Sequence, residues 1–484
     1  MSSSNSAASP PSYSFKAVSD DSAVELFLID ARMQLVARGR RELITEQPIG
    51  VYTLKLRAGP TSREEVILLD RNMTYPVEPL RFASAVPLNA TSETHEYQQA
   101  AAKDLSRKVN VELGKGASIF VFARDWTPDN GKVRSGHHPA EGLTLCSEQG
   151  VKLVDFQTQS VTDMSGDPWA ACRVSVNPGL YRLAVRVATG EYFEMTLTAL
   201  PGYFLKVFLV QRDESASGRG RHPDLARASV LMSRHEEFDK DSEESRIAEM
   251  AKLALVDRRR VYGTEMNRFL TKKAENPMLG ILGGHLLLLE KEVDTALLRT
   301  VVQNLRKILP TPHPDVEALA LAAGMVTAHR FTMPPMLRAS WQIVLNHSVH
   351  QPELVPIGSL AASLATLITQ QDPWLIWCRP GAKRQIDQRQ RGIANFIKEQ
   401  LEPSLVQLMS KMILSKAPKR VPALDKLMGE LNLPPSTVAH LVEKFLHHTK
   451  SAVPKTVSDE KAPVKRTVAG RAAVRKKAPP KRAK

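Results

Sequence analysis

From Val24 to Val210 the apolar residues recur at every second position in short runs, and beyond residue 222 they recur every three to four. This change of period constrains the chain more than any other feature, because period 2 makes half-buried strands and period 3.6 makes one-faced helices. Val24-Glu-Leu-Phe-Leu-Ile, Val51-Tyr-Thr-Leu-Lys-Leu, Glu65-Val-Ile-Leu-Leu, Ser118-Ile-Phe-Val-Phe-Ala, Cys172-Arg-Val-Ser-Val and Tyr203-Phe-Leu-Lys-Val-Phe-Leu-Val predict strands separated by Gly, Pro and Asp/Asn turns. On the helical side, Ile247, Met250, Ala251, Ala254 and Leu255 share one face. Asn276-Pro277 offers an N-cap followed by a first-turn proline. The polar stretch 213–222 between the two patterns reads as a linker, so pieces cut near His222 are expected to fold separately.

The expected architecture is multidomain: N-terminal all-β sandwich-like modules, an all-α helical domain and a disordered basic tail. Its boundaries are a disordered lead at 1–20, a first β repeat at 21–82, a helical connector at 83–114 and a second β repeat at 115–212. The linker follows at 213–222, the helical domain at 223–450 and the tail at 451–484. A chain of 484 residues with 43% hydrophobic residues has enough apolar matter for several cores.

The β region contains an internal repeat. Gly50-x-Tyr52-x-Leu54 returns 129 positions later as Gly179-x-Tyr181-x-Leu183, each followed, after one further position, by an apolar residue and an arginine. A glycine turn here feeds a half-buried strand whose Tyr and Leu face the same side. A second shared element precedes each copy, starting at Leu28 and at Leu145. The two tyrosines are therefore expected to be equivalent. This turn and strand resemble those of bacterial Ig-like and prealbumin-like β-sandwich modules, and either two sandwiches or one larger one would fit.

Three islands in the helical half, starting at Asn276, Pro334 and Asp372, carry a second resemblance. They are similar to a helical region of uncharacterised bacterial multidomain proteins, some of which carry caspase-like or trypsin-like protease domains. The resemblance implies a signalling or adaptor setting. The chain itself has neither a Gly-x-Ser-x-Gly elbow nor a caspase-type cysteine context. The expectation is a non-enzymatic protein with no catalytic residues, metal or cofactor. Its partner would be another protein, with protease-containing signalling proteins among the candidates. Trp341, Trp374 and Trp377 are the candidate partner-binding groove, against the alternative that they are core residues. His285, after Gly283-Gly284 on an apolar run, reads as a hydrogen-bonded core histidine.

The charge is uneven. The net charge is +15, and Lys455 to Lys484 holds eleven Lys/Arg against two acids. Lys465, Arg466, Arg471, Arg475, Lys476, Lys477, Lys481, Arg482 and Lys484 could neutralise phosphates without reading sequence, or simply keep the chain soluble. The segment 424–441 resembles a bacterial helix-turn-helix, with apolar residues at 427, 431, 433, 438 and 441. That resemblance implies Ser436, Thr437 and His440 near DNA bases; Met428, Asn432 and Glu443 depart from the motif. A helical hairpin is the other reading. DNA binding through this segment and the tail is thus the alternative function. Three cysteines without paired spacing and no 20-residue apolar run predict a cytoplasmic protein with no membrane association.

Overall fold

The computed structural model describes residues 11–379, apart from 22–23, 59–60, 79, 90, 128–135, 259–275, 365–366 and 370–371, together with 436–437. The first unit has seven strands: β1 (Ser12–Ser19), β2 (Glu25–Ile29), β3 (Leu35–Arg40), β4 (Glu42–Pro48), β5 (Gly50–Ala58), β6 (Thr61–Leu69) and β7 (Met73–Val77). Their order is β6-β5-β2-β3-β4-β1-β7, antiparallel except for the parallel β1–β7 pair. A single residue pair, Arg40 with Glu42, joins β3 to β4. The sheet bends there around Gly39, where a Cβ would collide with the Glu42 carbonyl oxygen. The bend brings Phe15, Ala17 and Leu43 from one half onto Leu26, Leu28, Leu54 and Leu56 from the other, in one core.

Helix α1 (Glu96–Ser106) and the short β8 (Val111–Glu112) lead into the second unit. It comprises β9 (Ala117–Arg124), β10 (Leu143–Ser147), β11 (Lys152–Asp155), α2 (Phe156–Gln159), β12 (Val161–Asp163), β13 (Trp169–Val176), β14 (Gly179–Arg186), β15 (Tyr192–Ala199) and β16 (Phe204–Leu209). Six of these strands repeat the first unit's pairings. β9 pairs antiparallel with β13 and parallel with β16, as β1 does with β4 and β7. β10 and β15 flank β14 as β2 and β6 flank β5.

The likeness extends to register. Leu28 lies opposite Leu54, and Leu145 lies opposite Leu183. Both β2 and β10 carry an irregularity immediately after that leucine. Each then turns through a residue with positive φ, Met33 at 62° and Gly150 at 85°. The Tyr52 hydroxyl donates to the Pro48 carbonyl at 2.8 Å, and the Tyr181 hydroxyl donates to the Asn177 carbonyl at 2.8 Å. A hydroxyl tied four residues back pins the turn that aims each strand.

Four sequence expectations are corrected here. The lead is not featureless throughout, since Ser12–Ser19 is β1 and buries Phe15 and Ala17. The stretch 213–222 is not a linker. β17 (Gln211–Glu214) and β18 (Gly220–Pro223) form a hairpin whose turn uses Gly218 and Gly220 at positive φ. The boundary at 222 also fails, because β19 (Ser229–Ser233) adds to β16 and β20 (Ile376–Arg379) adds to β15. The region after 222 is therefore mixed rather than all-helical.

Its helices among the described residues are α3 (Glu243–Val256), α4 (Pro277–Leu287), α5 (Thr295–Ile308), α6 (Pro314–Ala322), α7 (Arg338–Ser348) and α8 (Leu360–Leu364). Asn276 caps α4, its side chain accepting from Met278 N at 3.2 Å, as the Asn-Pro signature predicts. Leu279, Leu282, Leu298 and Val302 from these helices share one core with Phe122, Leu183 and Val207 of the second unit. Gly284 lets Leu319 of α6 approach so closely that a Cβ would stand 2.7 Å from its Cδ1.

Candidate functional site

The three tryptophans follow the core reading rather than the candidate groove. Trp341, Trp374 and Trp377 are all buried. Trp374 Nε1 donates to the Ala228 carbonyl and Trp377 Nε1 to Glu194 Oε2, each at 2.7 Å, while Trp341 packs with Phe331 and Val344. Trp374 and Trp377 thus tie their segment to the second β unit, Trp341 belongs to the helical core, and none offers a surface to a partner.

Of the residues assigned to nucleic acid, Ser436 and Thr437 are buried, and the Thr437 hydroxyl donates to the Ala362 carbonyl at 2.8 Å. In this position neither side chain can reach a base edge, which corrects that assignment. His440 and the tail residues Lys465, Arg466, Arg471, Arg475, Lys476, Lys477, Lys481, Arg482 and Lys484 lie outside the described residues, as does the rest of 424–441.

The nearest approach to a catalytic set is at the meeting of α4, α6 and α7. His285 Nε2 lies 2.7 Å from Ser340 Oγ, and Asp315 takes the backbone N–H groups of Met336 at 3.0 Å and Leu337 at 2.9 Å. Burial lowers the His285 pKa to about 4 and raises that of Asp315. Ser340 stands between the other two, where acyl transfer would need the histidine in the middle. All three side chains are buried, with no exposed path to a substrate. The arrangement pairs polar groups that three helices bring inside, as buried polar atoms require. His285 is thus the hydrogen-bonded core histidine that the sequence suggested. Among the described residues no group of three or more His, Cys, Asp or Glu is placed to hold a metal ion.

The surface that stands out is on the first β unit. Alternation turns Tyr52, Leu54 and Leu56 of β5 inward and Val51, Thr53 and Lys55 outward. On β6, Ile67 and Leu69 face inward while Glu64, Val66 and Leu68 face outward. Val66 is 76% exposed, Leu68 57% and Val51 51%. The ladder sets Val51 opposite Leu68 and Thr53 opposite Val66, and continues through Ile29 to Leu35, which is 57% exposed. Apolar side chains of four strands, interrupted by Thr53, therefore lie together on the solvent side. β6 is also the outermost strand of that sheet.

The same positions in the second unit are covered. There Glu194, Thr196 and Thr198 of β15 stand where β6 has Glu64, Val66 and Leu68, and all three are buried. β20 occupies the free edge of β15. Arg379 Nε donates to Glu194 Oε1 at 2.8 Å, and the Thr196 hydroxyl donates to the Pro334 carbonyl at 2.8 Å. The sequence did contain a signal for the bare face. Val66, Ile67, Leu68 and Leu69 are four apolar residues in succession, so both faces of that strand must be apolar.

No protein-family model and no curated protein matches this chain. One solved structure with partial likeness is SGBP-B of the Bacteroides ovatus mixed-linkage glucan utilization locus, in complex with a mixed-linkage heptasaccharide. It is 15% identical over 39% of this chain and 36% of that one, with a TM-score of 0.10. The chain thus spans about a third of that structure's length, and at that TM-score the likeness carries no argument. No helix among the described residues is long and apolar enough to cross a membrane.

Proposed function

We propose that the protein is a non-enzymatic adaptor or scaffold of a bacterial signalling system. It binds a protein partner through its folded body and polyanions through its basic tail. The observation that carries the reading is the apolar outer face of β5 and β6, bare in the first unit and covered in the second. A contiguous exposed apolar patch on a rigid sheet is the physical mark of a protein interaction surface. The strand pairings shared by the two units support the sandwich-module reading, with the covered copy serving as scaffold. The free thiols Cys146 and Cys172 fit a reducing, cytoplasmic setting. The buried positions of Ser436 and Thr437 weigh against the DNA-reading alternative.

The test is an affinity capture with the full chain and with a chain lacking Lys455–Lys484, each with and without nuclease. The adaptor reading expects one defined protein partner that survives both nuclease and tail deletion. Captured material that disappears under either treatment would instead assign the protein to nucleic acid. With purified duplex DNA, each phosphate contact made by the tail should add about 0.9 to the slope of log affinity against log salt.

A further inference from the structure

We infer that the edge of β6, which no described strand pairs, with the apolar face beside it, takes an extended strand from another protein chain, one presenting an apolar, an aromatic and a basic side chain at alternate positions. The inference rests on the adaptor reading and specifies its site and the partner's chemistry. The protein carries its own template for the contact. β20 runs antiparallel to β15, with Ile376 opposite Met195, Trp377 opposite Glu194 and Arg379 opposite Tyr192. The side chains of Trp377 and Arg379 both reach the Glu194 carboxylate.

The shared register carries this geometry to the first unit, where Glu64 stands in the place of Glu194 and Val66 in the place of Thr196. A strand laid on β6 in the same way sets its aromatic residue opposite Glu64 and its basic residue one outward position further on. Its outward residue on the other side of the aromatic one falls against Val66. The edge is net acidic: Glu64, Glu65 and Glu78 outnumber Lys55 and Arg63, with Lys55 paired to Glu64 at 2.7 Å and Arg63 paired to Glu65 at 2.7 Å and to Glu78 at 3.3 Å. Acidic and apolar groups side by side call for a strand that is basic and apolar. Backbone hydrogen bonds would supply affinity and the alternate side chains specificity, as in strand addition generally.

The test uses a fluorescein-labelled peptide of residues 372–379 carrying Cys378→Ser, titrated with the full chain and read by anisotropy. Saturable binding is expected. Val66→Lys with Leu68→Lys should weaken it about tenfold or more, the effect of losing two buried aliphatic contacts. Arg379→Glu in the peptide, or N-methylation of alternate peptide amides, should weaken it as well. Ile44→Lys, on the exposed face of β4, should leave it unchanged. Absence of saturable binding, or equal binding by the Val66/Leu68 variant, overturns the inference. So does a concentration-dependent dimer of the full chain abolished by Val66→Lys, which would give the face to a second copy. The capture experiment, repeated with the Val66/Leu68 variant, separates the two levels. A partner retained by a chain that fails the peptide test leaves the adaptor reading standing without the strand, and no partner for either chain removes both.

Discussion

The two β units share pairings, a register, an irregularity after the same leucine and a tyrosine tied to the same carbonyl, yet their outer faces are opposite in character. Where the second unit has Glu194, Thr196 and Thr198 under cover, the first has Glu64, Val66 and Leu68 in water. Polar residues are inside and apolar residues outside, the reverse of what solvent alone would select. Inner faces are set by the core each unit encloses and so resemble one another. Outer faces are set by what lies on them, and in the second unit that is the chain's own segment 334–379.

Cutting the chain near His222 should have the largest effect. The cut severs β17 from β18 and takes β19 from β16 and β20 from β15. Neither fragment beyond the first unit should show a cooperative unfolding transition by circular dichroism. Two such transitions matching those of the whole chain would break the comparison, since the second unit would then not depend on its cover.

Next come the matched glutamates. Glu194→Ala leaves Arg182, whose pKa burial lowers, and Arg379 without their shared carboxylate, and should cost about 3–5 kcal/mol in denaturant unfolding. Glu64→Ala removes only an exposed pair with Lys55 at 2.7 Å and should cost less than about 1 kcal/mol. Comparable losses at both would mean that the first face is covered as well.

How much of this could be read in the sequence depends on the range over which each signal acts. The Gly-x-Tyr-x-Leu repeat was legible because turn, strand and inward pair all fall within a few residues. β1 was not, since Phe15 and Ala17 alternate inside a Ser-rich lead whose composition resembles disorder. The hairpin at 211–223 passed for a linker because Gly and Ser serve a tight turn and a flexible tether alike; only the positive φ at Gly218 and Gly220 tells them apart. β20 is four residues long and its pairing partner lies some 180 positions away, so no local pattern announces it. The tryptophans were legible as large apolar residues, but their partners, Ala228 and Glu194, are equally remote.

A smaller effect should follow from the tyrosines. Tyr52→Phe and Tyr181→Phe each remove one hydroxyl-to-carbonyl bond and should each cost about 1 kcal/mol. A loss at one site only would show that the turns are not equivalent. The smallest effect should come from exchanging the outer faces. Val66→Thr should change stability by less than about 0.5 kcal/mol, because the side chain is in water in the free protein. Thr196→Val should cost more, since it orphans the buried Pro334 carbonyl that the threonine hydroxyl satisfies.

The central claim, that one copy of a repeated sheet edge is occupied and the other carries no strand among the described residues, is tested most directly by amide hydrogen exchange on the intact chain. Segments 61–69 and 192–199 should be compared under identical conditions. The account predicts that alternate amides of β6 exchange quickly along its outer edge, while those of β15 opposite β20 are protected nearly to the level of global unfolding. Equal protection of the two strands would contradict it.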